Sequence, residues 1–425
     1  MYRFDREHYL NSPKLLLAQH RRRARRRLHF TIDDIEPRAK HSMPDPDKDE
    51  VQGQLLKHLV DRRRRAFQGP LALRIRLATT ERSPTHSQNI AKNLLDLFGM
   101  PRQSLATRRT SLLYADDNQV HALAVTCDHG RTVPMISVSA NPLATLLADL
   151  DLAVQHDPDH GDAECERSYE LDDQMDHVGT LLHDEAAFRS RLGDRAFDTW
   201  LRFSRQRAQE CLLGRAGITP IYLANMYNLP GRHLGFNFST MWEQMFASSP
   251  LRIQLSELPQ VTGASLRWRQ EIETKLRDFQ ARFGWLVDPL LIPVALEVII
   301  KPPPVTRQNG LHDLDNVLRK HLIPRLVDVL RPISHYAFTT DDETIRQLPK
   351  DLCIAGRTIR SPTPPPASTK SGISRYEVWR LPPADEGDQG FVSVAVIADR
   401  PGHRDAFAQI ESKIEQWRKS LEDCW

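Results

Sequence analysis

Val294-Ala295-Leu296-Glu297-Val298-Ile299-Ile300 is followed, beyond a proline-rich loop, by Asp313-Leu314-Asp315-Asn316-Val317-Leu318-Arg319-Lys320. Val294, Leu296, Val298 and Ile300 alternate as one face of a strand does, and the Asp-containing stretch leads into a helix. Upstream, Leu251, Ile253 and Leu255 alternate in the same way, while Trp268, Ile272, Leu276, Phe279 and Phe283 recur at the spacing of a buried helix face. The order is therefore strand, helix, strand, loop, helix.

That order occurs a second time near the N-terminus. Leu28, Phe30 and Ile32 alternate, a basic helix-compatible stretch runs from Val51 to Phe67, and Leu71, Leu73, Ile75 and Leu77 alternate again. A polar loop then leads to Gln88-Asn89-Ile90-Ala91-Lys92, the counterpart of Asp315-Asn316-Val317-Leu318-Arg319. Each copy next reaches an Asp-Asp pair, with Asp116 28 positions after Gln88 and Asp341 26 positions after Asp315. Each closes on an apolar strand, Met135 to Val138 or Phe391 to Ile397, and a helix; the last helix puts Phe407, Ile410, Ile414, Trp417 and Leu421 on one face. An internal repeat of this kind predicts an α+β fold of two tandem domains, each a small mixed sheet with flanking helices. The boundaries expected are 1–150 and 250–425, joined by a connector, 151–249, that is acidic at first and helical around Ala186 to Leu213. The tract Ser361-Pro362-Thr363-Pro364-Pro365-Pro366 reads as an exposed polyproline-type loop inside the second copy.

Composition agrees with more than one core, since 425 residues exceed what a single core usually organises. With 40% apolar and 27% charged residues, and no apolar run near the ~18 needed to cross a bilayer, the chain reads as soluble and without a membrane partner. Met1 to Leu10 lacks the apolar stretch of a secretory signal, so a cytoplasmic location is expected. The five cysteines are scattered and never paired as Cys-x-x-Cys, which argues against a disulfide framework or a zinc ribbon. The net charge of +3 hides a lopsided distribution: Arg21, Arg22, Arg23, Arg25, Arg26 and Arg27 crowd one run, Arg62 to Arg65 another, and acids gather from Asp149 to Glu185. The arginine runs can neutralise DNA phosphates or form a solvated helix face, and composition favours neither.

The sharpest chemical signal is Asp313-Leu314-Asp315-Asn316. Residues two apart on extended chain point to one side, so Asp313 and Asp315 can converge on a hard cation, with a third carboxylate from Asp341-Asp342. An oxygen-rich Mg²⁺ or Mn²⁺ site of that kind suits phosphodiester hydrolysis. Asn316 is placed to orient a water or a carboxylate, and Arg319 and Lys320 lie one helical turn on, where a cation meets a phosphate. Helix capping accounts for Asp315 at most and leaves Asp313, Arg319 and the second acidic pair unexplained.

These residues resemble the RusA-type Holliday-junction resolvases: Asp-Leu-Asp-Asn, a basic residue four after the second Asp, and an Asp-Asp pair at a strand start. The likeness runs from Pro250 to the C-terminus and includes Arg267-Trp268-Arg269. It implies a small α/β endonuclease that acts as a homodimer and nicks four-way DNA with Mg²⁺. It also implies catalytic aspartates at Asp313, Asp315 and Asp342, and Arg319 in the place of a catalytic lysine. An arginine there binds phosphate but lacks the compact ammonium of lysine. The N-terminal copy is fainter. Asn89, Lys92, Asp96 and Asp116-Asp117 fit, but His86 and Gln88 stand where the leading aspartates belong, which predicts a copy without turnover in which Lys92 and the arginines Arg21, Arg22, Arg25 and Arg26 hold DNA. The expectation is an intrachain pseudo-dimer acting on branched DNA, with association of two chains possible. Its rivals are a non-catalytic DNA-binding protein and a less selective nuclease of a mobile element. The stretch His156 to Asp162 is read as a solvated acidic connector in preference to a metal site, the Trp268 stripe as core in preference to a stacking platform, and no glycine-rich phosphate loop stands out.

Overall fold

A computed structural model of the chain describes residues 13–81, 86–156, 163–214, 218–231, 251–256, 258–259, 265–304, 314–333, 373–385, 390–399 and 404–422. The strands of the first copy are β1 (Leu28–Asp33), β2 (Leu71–Ala78), β3 (Val120–Asp128) and β4 (Met135–Pro142); those of the second are β5 (Arg252–Leu255), β6 (Val294–Lys301), β7 (Ile373–Arg380) and β8 (Phe391–Ala398). They form one mixed sheet in the order β1-β4-β2-β3-β7-β6-β8-β5. Read inward from either edge, the strands of each copy come first, fourth, second, third. The repeat is thus visible in topology, and the copies meet where β3 pairs antiparallel with β7, Val125 opposite Tyr376. Antiparallel pairing of equivalent strands at the centre is what a two-fold axis through the sheet requires. The two small sheets expected from the sequence are joined edge to edge as one.

Two of the pairings are parallel, β2 with β3 and β6 with β7. Parallel neighbours need a crossover, and a helix supplies it in each copy. The first is α3 (Ser87–Gly99). The second, α10, starts at Leu314–Asn316, passes through a π-helical stretch Val317–Leu322 and ends as Ile323–Leu330. Both crossovers lie on the same face and pack against each other. Ile90 and Leu94 of α3, with Val317, Leu318 and Leu322 of α10, join a core that includes α2 (Asp45–Asp61) and α9 (Leu266–Val287). The Trp268 stripe belongs to it: Trp268, Ile272 and Leu276 are fully buried and Phe279 nearly so. α2 is shorter than the basic stretch suggested; it ends at Asp61, so Arg62 to Phe67 lie beyond the helix.

The opposite face carries α1 (Pro13–Ala24), α4 (Leu143–Gln155), α8 (Pro220–Met226) and α11 (Ala406–Glu422), with Leu146, Leu150, Phe407, Ile410, Ile414 and Trp417 in its core. α4 crosses the boundary drawn at residue 150. The connector is helical over α5 (Ala163–His183), α6 (Glu185–Leu192) and α7 (Asp194–Leu213), so its acidic stretch is structured from residue 163 onward. The polyproline-type tract 361–366 and residues 157–162 lie outside the described residues. Among the described residues no helix is long and apolar enough to cross a membrane.

Candidate active site

The site forms where the crossover helices meet, and both copies contribute to it. Ile90, Leu94 and Phe98 bury one face of α3, which carries Lys92 to the edge of the core. The Asp-Asp pair of the first copy divides its labour. Asp116 accepts a hydrogen bond from Asn118 N (2.8 Å), and Gln119 Oε1 accepts one from Asp116 N (3.1 Å), a reciprocal cap on the 3₁₀ turn Asp117–Gln119. That turn directs Asp117 at Lys92, whose Nζ donates to Asp117 Oδ2 at 2.7 Å. Lys92 Nζ also lies 3.1 Å from Asp96 Oδ1.

The second copy supplies Asp315, from the first turn of α10. Its side chain is 1% exposed, and its Oδ2 lies 3.8 Å from Lys92 Nζ. Burial of Lys92 opposes its charge, yet Asp315, Asp117 and Asp96 outweigh that penalty and raise its pKa, so Lys92 is an ammonium at neutral pH. Two tyrosines border the cluster. Burial, with the charges of Asp117 and Asp315, raises the phenol of Tyr114 well above the ordinary range; burial and Asp315 do the same to Tyr376. Tyr376 is fully buried, and its hydroxyl has no hydrogen-bond partner among the described residues.

Of the residues the motif nominated, Asp315 is therefore at the centre. Asp313, Asp341 and Asp342 lie outside the described residues. Arg319 is half-buried and donates to Asn316 Oδ1 (3.2 Å), whereas Lys320 is exposed. The ammonium found beside Asp315 is Lys92 of the other copy. Sequence reasoning assigned it to DNA holding in a copy of its own, because the aligned motif of the second copy carries Arg319 at that position. Asp96 and Asp117 match the family pattern in sequence, and both hold Lys92, the residue that meets Asp315. Among the described residues no three His, Cys, Asp or Glu side chains have metal-binding geometry.

The basic residues divide as well. Arg21, Arg22, Arg25 and Arg26 are exposed, while Arg23 and Arg27 turn inward onto the fully buried Asp149, Arg23 Nε donating to Asp149 Oδ1 at 3.1 Å. A third of that run is thus structural, since two of its six guanidiniums tie α1 and the residues just after it to α4. From Arg27 the contacts run on through half-buried arginines. Arg64 Nη2 donates to Arg27 O (3.3 Å) and Arg109 Nη2 to Arg64 O (2.8 Å). Phe67 then receives Gln119 Nε2 on its carbonyl (3.2 Å), which joins the arginine segment to the turn that holds Asp117. Arg267 and Arg269 are exposed on the first turn of α9, on either side of buried Trp268, whose ring lies 5.9 Å from that of His321 on α10. His156 ends α4 with its ring 6.0 Å from that of Trp417.

The chemistry available is that of one buried carboxylate, Asp315, and two half-buried ones, Asp96 and Asp117, held around a fixed ammonium. No family model, curated protein or solved structure matches the chain.

Proposed function

We propose that the chain is a divalent-metal-dependent, structure-selective endodeoxyribonuclease acting on branched DNA, two RusA-like halves fused as a pseudo-dimer. The observation that carries the reading is the convergence of Asp315 with Lys92, Asp96 and Asp117 across the β3–β7 junction. Burying the Asp315 carboxylate beside a charged lysine costs desolvation, and groups perturbed by burial and a charge partner concentrate at functional sites.

The donor set fits Mg²⁺ or Mn²⁺. Its donors are oxygens, and the buried Tyr376 hydroxyl, sensitive to the Asp315 charge, has no hydrogen-bond partner among the described residues. Asp315 would hold the ion together with Asp313 and Asp342 of the same motif, with Asp341 beside them. A bound divalent ion supplies a water of lowered pKa and screens charge growing on the phosphoryl oxygens. The chain's own residues do the rest. Lys92, kept charged and oriented by Asp117 and Asp96, binds a non-bridging phosphate oxygen. Arg319, steadied on Asn316, and exposed Lys320 face the neighbouring phosphate. Arg21, Arg22, Arg25, Arg26, Arg267 and Arg269 grip the flanking backbone.

The test is Mg²⁺-dependent cleavage of labelled four-way and linear DNA by wild type and by Asp315→Asn. The reading expects cleavage of the junction and its loss in the variant by at least about a hundredfold, in keeping with removal of a charged catalytic group. Cleavage unaffected by the substitution removes the site assignment. Binding without cleavage on any DNA favours the non-catalytic alternative, and equal cutting of linear DNA favours an unselective nuclease.

A further inference from the structure

A second cavity opens on the far side of the turn that holds Asp117. It has a volume of about 850 Å³ and is walled by the ends of β2, β3, β6 and β7 under α4. Asp116, Asn118 and Gln119 line it, while Asp117 between them faces Lys92, so one turn separates the cavity from the candidate active site. Pro302 to Pro304, on another wall, follow the end of β6.

Its lining combines flat apolar surface with few polar groups. Pro70 comes from the first copy and Pro303 and Pro383 from the second, and Leu147 of α4 closes the side. Asp116, Gln119 and Tyr227 add polar atoms to the wall, and three further polar groups bear on recognition. Arg380 is 4% exposed and donates through Nη1 to Asn118 O at 3.3 Å. Asn118 Oδ1 is buried with no hydrogen-bond partner among the described residues. His121 has its pKa lowered to about 4 by burial and by the Arg380 charge, so at neutral pH it is a neutral imidazole with one donor and one acceptor nitrogen.

A guanidinium donor, an unmet acceptor and a neutral imidazole between proline faces match the edge of a nucleobase, because every base presents both donors and acceptors on a planar ring. The volume lies in the range of small-ligand sites and holds a whole nucleotide. From these features we infer that the cavity receives one unstacked nucleotide of the bound DNA strand while the adjoining phosphate lies over Lys92 and Asp315. The inference rests on the nuclease reading for the direction of the strand, though not for binding itself. Extracting a base costs a few kcal/mol in a duplex and less at a branch point, where stacking is already interrupted, so the cavity favours branched DNA without reading its sequence.

The experiment titrates the full chain, without metal, with dGMP, dTMP, the corresponding nucleosides and inorganic phosphate, by calorimetry and by saturation-transfer NMR. Both nucleotides and nucleosides are expected to bind, phosphate alone at least tenfold more weakly. Filling the cavity with Leu147→Trp is expected to weaken dGMP at least tenfold, and His121→Ala serves the same purpose should the first variant fold poorly, melting temperature being the check. Binding undiminished in a folded cavity variant, or no binding of either nucleotide by wild type, overturns the inference. Because the ligand is a mononucleotide, the outcome separates from that of the cleavage assay. Nucleotide binding without cleavage keeps the cavity and removes the nuclease; cleavage without nucleotide binding does the reverse.

Discussion

At Lys92 one ammonium answers three carboxylates, and the balance of charge there is the most direct handle on the site. Replacing it by methionine leaves Asp315, Asp117 and Asp96 facing one another at the edge of a dry interior. The expected loss is on the order of 3 kcal/mol, the scale seen when one partner of a largely buried ionic cluster is removed. If the cluster is a metal site, millimolar Mg²⁺ should raise the melting temperature of Lys92→Met more than that of wild type, because the cation takes over part of the lost charge. An identical Mg²⁺ response in both proteins would count against oxygen ligation by Asp315. How much of this was legible in the sequence depends on the residue. Asp315 stands out by motif, and the structure sets it beside Lys92. The role of Lys92 does not, since a motif read along one copy carries no information about which copy faces which; the pairing of β3 with β7 decides that, and it joins strands far apart in the chain, Val125 opposite Tyr376.

Among elements, α1 and the central strands show how polar groups were used for structure. α1 contributes little apolar surface and is tied to α4 by Arg23 and Arg27 on Asp149. Asp149→Asn should release it at a cost of about 1–3 kcal/mol, the range for hydrogen bonds to charged groups. Hydrogen exchange should then show amides of Pro13–Ala24 losing protection while those of β2 and β6 keep theirs; unchanged protection would mean that α1 is held by its apolar contacts alone. The sequence run of six arginines gave no sign of this division, because the acid that sorts them comes from a helix over a hundred residues away. β6 and β7 are a second case. Glu297 and Glu377 sit opposite each other on neighbouring strands, almost fully buried, and accept hydrogen bonds from Ile218 N (2.8 Å) and Ala406 N (3.0 Å). Burial lifts Glu297 to about 7 despite Arg252, and lifts Glu377 well above the carboxylate range, with Glu297 and Asp405 adding to it. Folded carboxyls with raised pKa hold their protons more tightly than unfolded ones. Their contribution is complete below the unfolded pKa near 4.5 and is lost as pH rises through 7 for Glu297, and further for Glu377. Glu377→Gln keeps the acceptor for Ala406 and removes the titration. It should match wild type at pH 4 and exceed it increasingly as pH rises to 8 in urea unfolding, and parallel stability curves for the two proteins would refute the assignment.

For the whole molecule, the two-fold strand order and unequal residues have opposite tendencies, and the outcome is a prediction about products. The sheet makes the copies geometrically equivalent, so a true dimer of this topology would present two equal sites. Here Asp315 faces Lys92, Asp96 and Asp117, but the position equivalent to Asp315 is Gln88, which is buried with its Oε1 lacking a partner among the described residues and its Nε2 3.4 Å from His86 Nδ1. A neutral amide and an imidazole replace two carboxylates there, and a hard cation loses the anionic oxygens it needs. On the nuclease reading one chain therefore cuts one strand. With chain held well below substrate concentration, a junction labelled on all four arms should yield a single-nicked product first, and a second nick only through a second binding event, so that its rate scales with free protein. Restoring the mirror site by Gln88→Asp with His86→Asp should shift products toward paired nicks at the same protein concentration. Simultaneous paired nicking by a wild-type chain that sediments as a monomer would mean that the Gln88 side is active after all, and that the inequality of the two halves does not govern catalysis.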